Sequence, residues 1–254
     1  MIKVNYLIVM ILISINAIAG DEVSFQRDLS LNANGSKNFF VDVGAGVLKI
    51  RGGDVDEITV EGKIYSHKYD DIDDLQDDFK KLMVFSLEKN GSKIMLKAMA
   101  KKRMFSFTSA DINIDLNITI PRSMNVEIDD GSGNLMVSDI DGKLEIDDGS
   151  GAMVINNIGD DLQIDDGSGN IEVTDVDGDV HIDDGSGNQI IRNIKGNISI
   201  DDGSGLVDIV NVTGDVSIDD GSGSIMVNDL AGSFKLIDDG SGSVHVNGKK
   251  WDSD

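Results

Sequence analysis

One hexapeptide governs what this chain can fold into. Ile128-Asp129-Asp130-Gly131-Ser132-Gly133 recurs with starts at Ile146, Ile164, Ile182, Ile200, Ile218 and Ile237. The spacing is 18 residues five times and then 19. A fixed period near 20 residues is the mark of a solenoid, in which one repeat is one coil and only stacking buries the apolar faces. With the isoleucine as position 1, position 8 holds Leu135, Met153, Ile171, Gln189, Val207, Ile225 and Val244. Position 10 holds Val137, Ile155, Val173, Ile191, Ile209, Val227 and Val246. Position 13 runs from Ile140 to Leu230, and position 17 from Leu144 to Phe234. Side chains two apart on a strand share a face, so positions 8 and 10 form one inward face and positions 17 and 1 another. Position 13 fills the corner between them. The expected fold is all-β: a β-solenoid of about seven 18-residue coils, two strands per coil, stacked about 4.8 Å apart into a rod about 34 Å long.

The longer last copy carries one extra residue. A one-residue slip turns every later side chain to the opposite face, so a bulge at Leu236-Ile237 is expected to absorb it. Lys249-Lys250-Trp251 follows the last coil, and the indole is placed to cover its open end.

Residues 20–120 do not repeat and read as a β-rich capping region. Asn38 to Val43, Gly46 to Ile50, Glu57 to Tyr65, Lys93 to Lys97 and Ile112 to Ile120 have strand character. Ile72, Leu75, Phe79, Leu82 and Met83 make one apolar stripe at helical spacing, which predicts a short amphipathic helix near 71–83 packed on the strands. Asp70 or Asp71 is its N-cap, and Lys80 and Lys81 favour its C-terminal turn. Pro121 opens the repeats, which run to 247, and 248–254 form a C-terminal tail.

The first residues read as an export signal. Lys3 precedes an almost wholly apolar run from Tyr6 to Ile15, and Ala17-Ile18-Ala19 has the small-x-small form cut by signal peptidase. Cleavage is expected between Ala19 and Gly20, leaving no membrane span in the mature chain, whose destination is the periplasm, the cell surface or the medium. The chain has no cysteine, so disulfides and thiolate sites are excluded. A formal net charge of -24 repels nucleic acid and anionic lipid.

The paired aspartates are the candidate site. Stacking puts Asp129, Asp147, Asp165, Asp183, Asp201, Asp219 and Asp238 in one column, and Asp130, Asp148, Asp166, Asp184, Asp202, Asp220 and Asp239 in the next. Neighbouring charges about 4.8 Å apart repel by roughly 0.9 kcal/mol in water. Over both columns that is on the order of 5 to 10 kcal/mol, comparable to the stability of a domain. Side chains splaying into solvent, carboxyls that stay protonated, or a cation bound between coils would relieve it, and two overall readings follow. The columns form a solvated acidic edge that keeps the rod soluble, or they bind Ca²⁺, which takes six to eight oxygen ligands. Asp139-Ile140-Asp141-Gly142 and Asp175-Val176-Asp177-Gly178-Asp179 add oxygens on a second corner. Neither a nine-residue β-roll unit nor an EF-hand loop is present.

Catalytic patterns are missing. His67, His181 and His245 are scattered and read as surface residues. Gly44-Ala45-Gly46 lacks the third glycine of a dinucleotide loop, and no nucleophile elbow or Walker loop occurs. Carboxylate pairs hydrolyse glycosides only when their environments differ, whereas each coil repeats nearly the same pair. An enzyme is not expected.

Ile118-Thr119-Ile120-Pro121, then Met124-Asn125-Val126-Glu127-Ile128 and the Asp-Asp-Gly-Ser-Gly coils, resemble the bacterial "putative adhesin" family of β-strand-repeat domains of unknown function. Val47 to Gly53 and the helix near 71–83 fit the same layout. The resemblance implies a right-handed β-solenoid at the cell envelope. The family often has Thr at the second residue of the turn, where this chain has Asp. The expected function is a binding or structural envelope module, with a surface glycan, an envelope component or a second copy as partner.

Overall fold

The computed structural model describes residues 22–101 and 111–251; the expected signal peptide and its Ala19-Gly20 cleavage site lie outside the described residues. The non-repeating part consists of β1 (Val23–Asn32), β2 (Asn38–Ala45), β3 (Leu48–Gly53), β4 (Glu57–Ser66), α1 (Ile72–Leu82), β5 (Met83–Asn90), β6 (Lys93–Ala100) and β7 (Asn113–Pro121). The repeats supply β8 (Asn125–Ser132), β9 (Leu135–Ile140), β10 (Leu144–Asp148), β11 (Met153–Ile158), β12 (Leu162–Asp166), β13 (Ile171–Val176) and β14 (Val180–Asp184). They continue with β15 (Gly187–Ile194), β16 (Ile198–Asp202), β17 (Gly205–Val212), β18 (Val216–Asp220), β19 (Gly223–Leu230), β20 (Phe234–Asp239) and β21 (Gly242–Val246), and β22 (Lys249–Lys250) is the last strand among the described residues.

Each coil contributes one strand to each of two sheets. The even-numbered repeat strands β8 to β20 join a 10-stranded sheet, and the odd-numbered strands β9 to β21 a 12-stranded sheet. Pairing between coils is parallel with an 18-residue offset: Ile146 sits between Ile128 and Ile164, and Ile155 between Val137 and Val173. Up to the last coil, where Leu230, Phe234 and Val246 are only partly buried and Ile237 is exposed, the five inward columns are buried as expected and form one continuous core with the N-terminal region, from Phe25 to Val244. Burying each Val, Leu or Ile contributes about 1.5 to 3 kcal/mol, and no coil gains that without its neighbours.

The stack begins before the visible repeat. In β2, Val41, Asp42, Val43 and Ala45 pair in register with Ile128, Asp129, Asp130 and Ser132, and β3 pairs with β9 through Leu48↔Leu135 and Ile50↔Val137. Val41-Asp42-Val43-Gly44-Ala45-Gly46 is therefore a degenerate copy of the hexapeptide, and Gly44-Ala45-Gly46 is its turn. β6 and β7 stack in parallel on the far side of β2 and β3. The end is closed by antiparallel strands: β4 on β7, β1 on β4, and β5 on β6. Helix α1 lies over β1 and β5, burying Leu75 and Phe79. Of the two candidate caps, Asp71 acts, its side chain accepting from the Asp73 amide at 2.8 Å. β1 and β5 were not read from the sequence. Met83, counted there as the end of the helical stripe, begins β5 instead.

The glycine corners are set by steric contact between coils. A Cβ on Gly151, where φ is +145°, would lie 1.6 Å from the carbonyl oxygen of Gly133 in the coil before, and the same position in other coils is equally closed. At the opposite corner Asp139, Asn157, Asp175, Asn193, Asn211 and Asp229 hold φ between 54° and 64°. Asn and Asp tolerate that left-handed conformation best among residues with side chains. The last coil carries the predicted bulge: Ile218 pairs with Leu236 and Asp219 with Asp238, leaving Ile237 unpaired and 55% exposed. Leu236, rather than Ile237, thus occupies position 1 of this copy. Asn247-Gly248, both with positive φ, turn the chain into β22, and Trp251 meets Phe234 edge-on with ring centroids 4.9 Å apart.

Gly151→Ala is expected to cost at least about 3 kcal/mol, because two backbones must separate and no side chain can yield. Deleting Ile237 restores the 18-residue period and is expected to change stability by less than about 1 kcal/mol. Equilibrium denaturation of both variants checks the pair. Equal and large losses would show that the coils do not stack in this register.

Candidate functional site

The two aspartate columns lie on opposite faces of the 10-stranded sheet. Positions 17 and 1 point inward, and side chains alternate along a strand. Position 2 therefore points out and position 3 points in. Asp129, Asp147, Asp165, Asp183, Asp201 and Asp238 are exposed, and Asp219 is half-buried. Asp130, Asp148, Asp166, Asp184, Asp202 and Asp220 are each 3% exposed or less. Asp239, in the last coil, is half-buried. The fourteen carboxylates counted from the sequence as neighbours are thus an outer stripe and an inner column, divided by the sheet. No group of three or more His, Cys, Asp or Glu among the described residues is arranged to hold a metal ion.

The outer stripe is long and even. Its line is headed by Asp42, in register with Asp129, and Lys97 of β6 reaches Asp42 at 3.5 Å. Asp147, Asp165, Asp183, Asp201, Asp219 and Asp238 form no ion pair with a basic side chain among the described residues. Beside it runs position 18, which changes from Glu127 and Glu145 through Gln163, His181, Ser199 and Ser217 to Lys235. Most of these residues line an open trough of about 610 Å³ across the coils. His67, His181 and His245 are all exposed, as expected.

The inner column has a uniform geometry. In each of the first six coils Oδ1 accepts from the backbone N–H of the serine two residues on, at 3.2 Å for Asp130–Ser132, 3.1 Å for Asp148–Ser150 and 3.1 Å for Asp166–Ser168, whereas Asp239 Oδ1 in the last coil has no partner. The same bond measures 3.0 Å at Asp184–Ser186, 3.1 Å at Asp202–Ser204 and 2.9 Å at Asp220–Ser222. It fixes the Gly-Ser-Gly turn as an Asx turn. The second oxygen, Oδ2, has no hydrogen-bond partner in Asp130, Asp148, Asp166, Asp202 and Asp220. Asp184 differs. Gln189, the one polar residue in the position-8 column and itself 0% exposed, donates Nε2 to Asp184 Oδ2 at 3.2 Å. Gln189 Oε1 is left without a donor.

Burial opposes ionisation of these carboxyls. Asp130 is pushed up to about 6 by desolvation and by the charge of Asp148, and Asp166 to about 6 by desolvation and its neighbours Asp184 and Asp148. Asp202 is pushed up to about 7, by desolvation first and then by Asp184 and Asp220. Asp148, Asp184 and Asp220 are also raised, mainly by desolvation. The serine amides act the other way but do not cancel the burial.

The second corner holds hydrogen-bond ladders that the sequence reading did not identify. Asn157 Nδ2 donates to Asp139 Oδ1, Asn193 Nδ2 to Asp175 Oδ1 and Asn211 Nδ2 to Asn193 Oδ1, each at 2.8 Å. Asp139 also pairs with Arg51 at 3.0 Å, and Asp177 with Lys195 at 2.6 Å. At position 16 a side-chain oxygen caps the amide one coil on, as in Asn197 N→Asp179 Oδ1 at 2.8 Å and Asp215 N→Asn197 Oδ1 at 2.9 Å. Several oxygens considered as Ca²⁺ ligands on this corner are thus engaged with donors of the chain itself. The sequence signal was present: position 12 is Asn or Asp in each of the first six copies.

No protein-family model matches the chain, and no curated protein matches it. Solved structures do. A "putative adhesin" from Bacteroides fragilis aligns with TM-score 0.53 and 13% identity over 85% of this chain and 96% of its own. A "putative lipid binding protein" from Parabacteroides distasonis aligns with TM-score 0.42 and 14% identity over 88% and 97%. A "putative cell adhesion protein" from Clostridium sporogenes gives TM-score 0.33 and 13% identity over 85% and 98%. The first likeness shows a shared fold.

Asp202→Asn keeps the acceptor for the Ser204 amide and removes a buried charge. At pH 8, above the raised value of Asp202, it is expected to stabilise the chain by on the order of 2 kcal/mol. At pH 5 the gain should shrink, because Asp202 is then protonated and neutral. Asp201→Asn, one residue away and solvated, should stay within about 0.5 kcal/mol at both pH values. Denaturant titrations of the two variants at pH 5 and 8 check this.

Proposed function

We propose that the chain is an exported, non-catalytic binding rod of the bacterial envelope that meets its partner through the outer face of the 10-stranded sheet. The observation that carries this reading is the repetition of that face. An acidic stripe continues coil after coil in strict register, beside an open trough that crosses the same coils. A face of this kind offers the same contact many times, and repeated weak contacts gain strength through effective concentration. It suits a partner that repeats too, such as a surface glycan. A catalytic centre needs the opposite, a few groups in differing environments at one place. The carboxyls whose ionisation burial opposes are inside the rod, beyond the reach of a substrate. The apolar leader and its Ala19-Gly20 junction support export, and no helix among the described residues is long and apolar enough to cross a membrane. The fold shared with the "putative adhesin" of Bacteroides fragilis agrees with a surface role.

The test is binding of labelled residues 20–254 to intact bacterial cells and to an array of neutral and basic surface glycans, with sedimentation run in parallel. The expected result is saturable binding that weakens at least tenfold when Asp165, Asp183 and Asp201 are replaced together by Asn. A monomeric rod that binds neither cells nor glycans, or binding indifferent to the triple replacement, would sink the reading.

A further inference from the structure

The inner column raises a question that binding at the outer face does not answer. Six carboxyls stand in single file inside the rod, from Asp130 to Asp220, one per coil. Adjacent coils lie about 4.8 Å apart. Oδ2 of Asp130, Asp148, Asp166, Asp202 and Asp220, and Oε1 of Gln189, are buried acceptors with no donor. A buried acceptor of this kind needs a donor or a cation.

The groups around the column supply neither. On the same strands the nearest charges are the outward Asp129, Asp147, Asp165, Asp183, Asp201 and Asp219, which share its sign. From the facing sheet the inward neighbours are Leu135, Met153, Ile171, Gln189, Val207 and Ile225, of which only Gln189 carries a donor, and it is spent on Asp184. Toward the N-terminus the column ends at the apolar Val43, and toward the C-terminus at Asp239. None of the six inner aspartates forms an ion pair with a Lys, Arg or His of the described residues.

A divalent cation fits this geometry poorly. Ca²⁺ needs six to eight oxygens. Oδ1 of each aspartate is committed to a serine amide, so each gap between coils offers about two free carboxylate oxygens. A proton needs only two. One carboxyl, protonated on Oδ2, donates to the ionised Oδ2 of the next coil, directly or through one buried water, as a charge-assisted hydrogen bond. Asp184 suits the ionised member of such a pair, since Gln189 already donates to its Oδ2. A protonated neighbour could then give Gln189 Oε1 the donor it lacks.

We propose that the inner aspartate column is a proton-binding site, in which neighbouring carboxyls share protons along the axis of the rod, so that folding takes up protons and the solenoid tightens as its surroundings acidify. The sign follows from linkage. The folded values of these carboxyls lie above the unfolded value of 3.8. Between about pH 4 and 7 the folded chain therefore binds more protons than the unfolded chain, and stability falls as pH rises through that window. At pH 6 the three most raised carboxyls account for about two protons per chain. An envelope protein with this interior would be most rigid in acid, where a chain held by ionised carboxylates weakens.

The experiment is infrared spectroscopy of native residues 20–254 at pH 6, followed through the carbonyl stretch of protonated carboxylic acids, with thermal melts at pH 5 to 8 and constant ionic strength. Asp166→Asn, Asp184→Asn and Asp202→Asn combined remove half of the inner column. Asp165→Asn, Asp183→Asn and Asp201→Asn combined remove the same formal charge from the outer face. We expect the acid carbonyl band in the wild type and the outer variant, with melting temperature falling from pH 5 to 8 in both. In the inner variant the band should lose at least half its intensity and the pH dependence should flatten. Should the inner variant fail to fold, the wild-type band and Asp202→Asn alone give the same reading. An absent band at pH 6 would overturn the proposal. So would a melting temperature that rises with Ca²⁺ over EDTA in the wild type and not in the inner variant, which would make the column a metal site.

Discussion

Parallel stacking at a fixed 18-residue offset is the constraint on which the rest depends. Once Ile146 lies between Ile128 and Ile164, every other residue of the coil is assigned a column, and each column must be chemically tolerable when repeated seven times. Apolar columns meet that condition by burial. Glycine columns meet it by absence, because the carbonyl of the preceding coil occupies the space a Cβ would need. The Asn/Asp and position-16 columns meet it with hydrogen bonds passed from coil to coil. The inner aspartates alone repeat like charge on like charge within the core.

Repetition sets a threshold for what such a column may contain. A single buried aspartate can be answered by one local partner. A column of six in identical surroundings receives six identical partners or none, and here each receives one serine amide for one oxygen. The remainder must come from something small enough to fit every gap. Gln189 breaks the pattern at one coil, where a polar residue replaces an aliphatic one and meets the column directly. That position argues that the inner carboxyls, rather than the space around them, set the local chemistry.

Much of this was legible in the sequence. The period gave the coil, the apolar columns gave the inward faces, and the extra residue of the last copy gave the bulge at Ile237. Asp71, Leu75 and Phe79 marked the helix by spacing and cap. The division of the Asp-Asp pair was legible too, since an inward position 1 forces an inward position 3. It was obscured by the expectation that charge stays in solvent. The degenerate coil of β2 and β3 was hidden because Val43 replaces the inner aspartate and Ala45 the serine, which keeps the geometry and loses the motif. Strand β1 pairs as an edge with β4, distant in sequence, where local pattern is weak, whereas β5 forms a hairpin with β6 across Gly91-Ser92, a turn that Asn90-Gly91 signalled and the sequence reading passed over. The partner of the outer face leaves no signature in a column of identical residues.

The division of the aspartate pair can be measured directly, because the chain has no cysteine of its own. Asp165→Cys and Asp166→Cys place a single thiol at adjacent residues of one strand. Labelling with a water-soluble thiol reagent under native conditions should be fast at 165 and at least a hundredfold slower at 166, with equal rates in denaturant. Equal native rates would mean that both columns face solvent, and the buried carboxyl column would not exist.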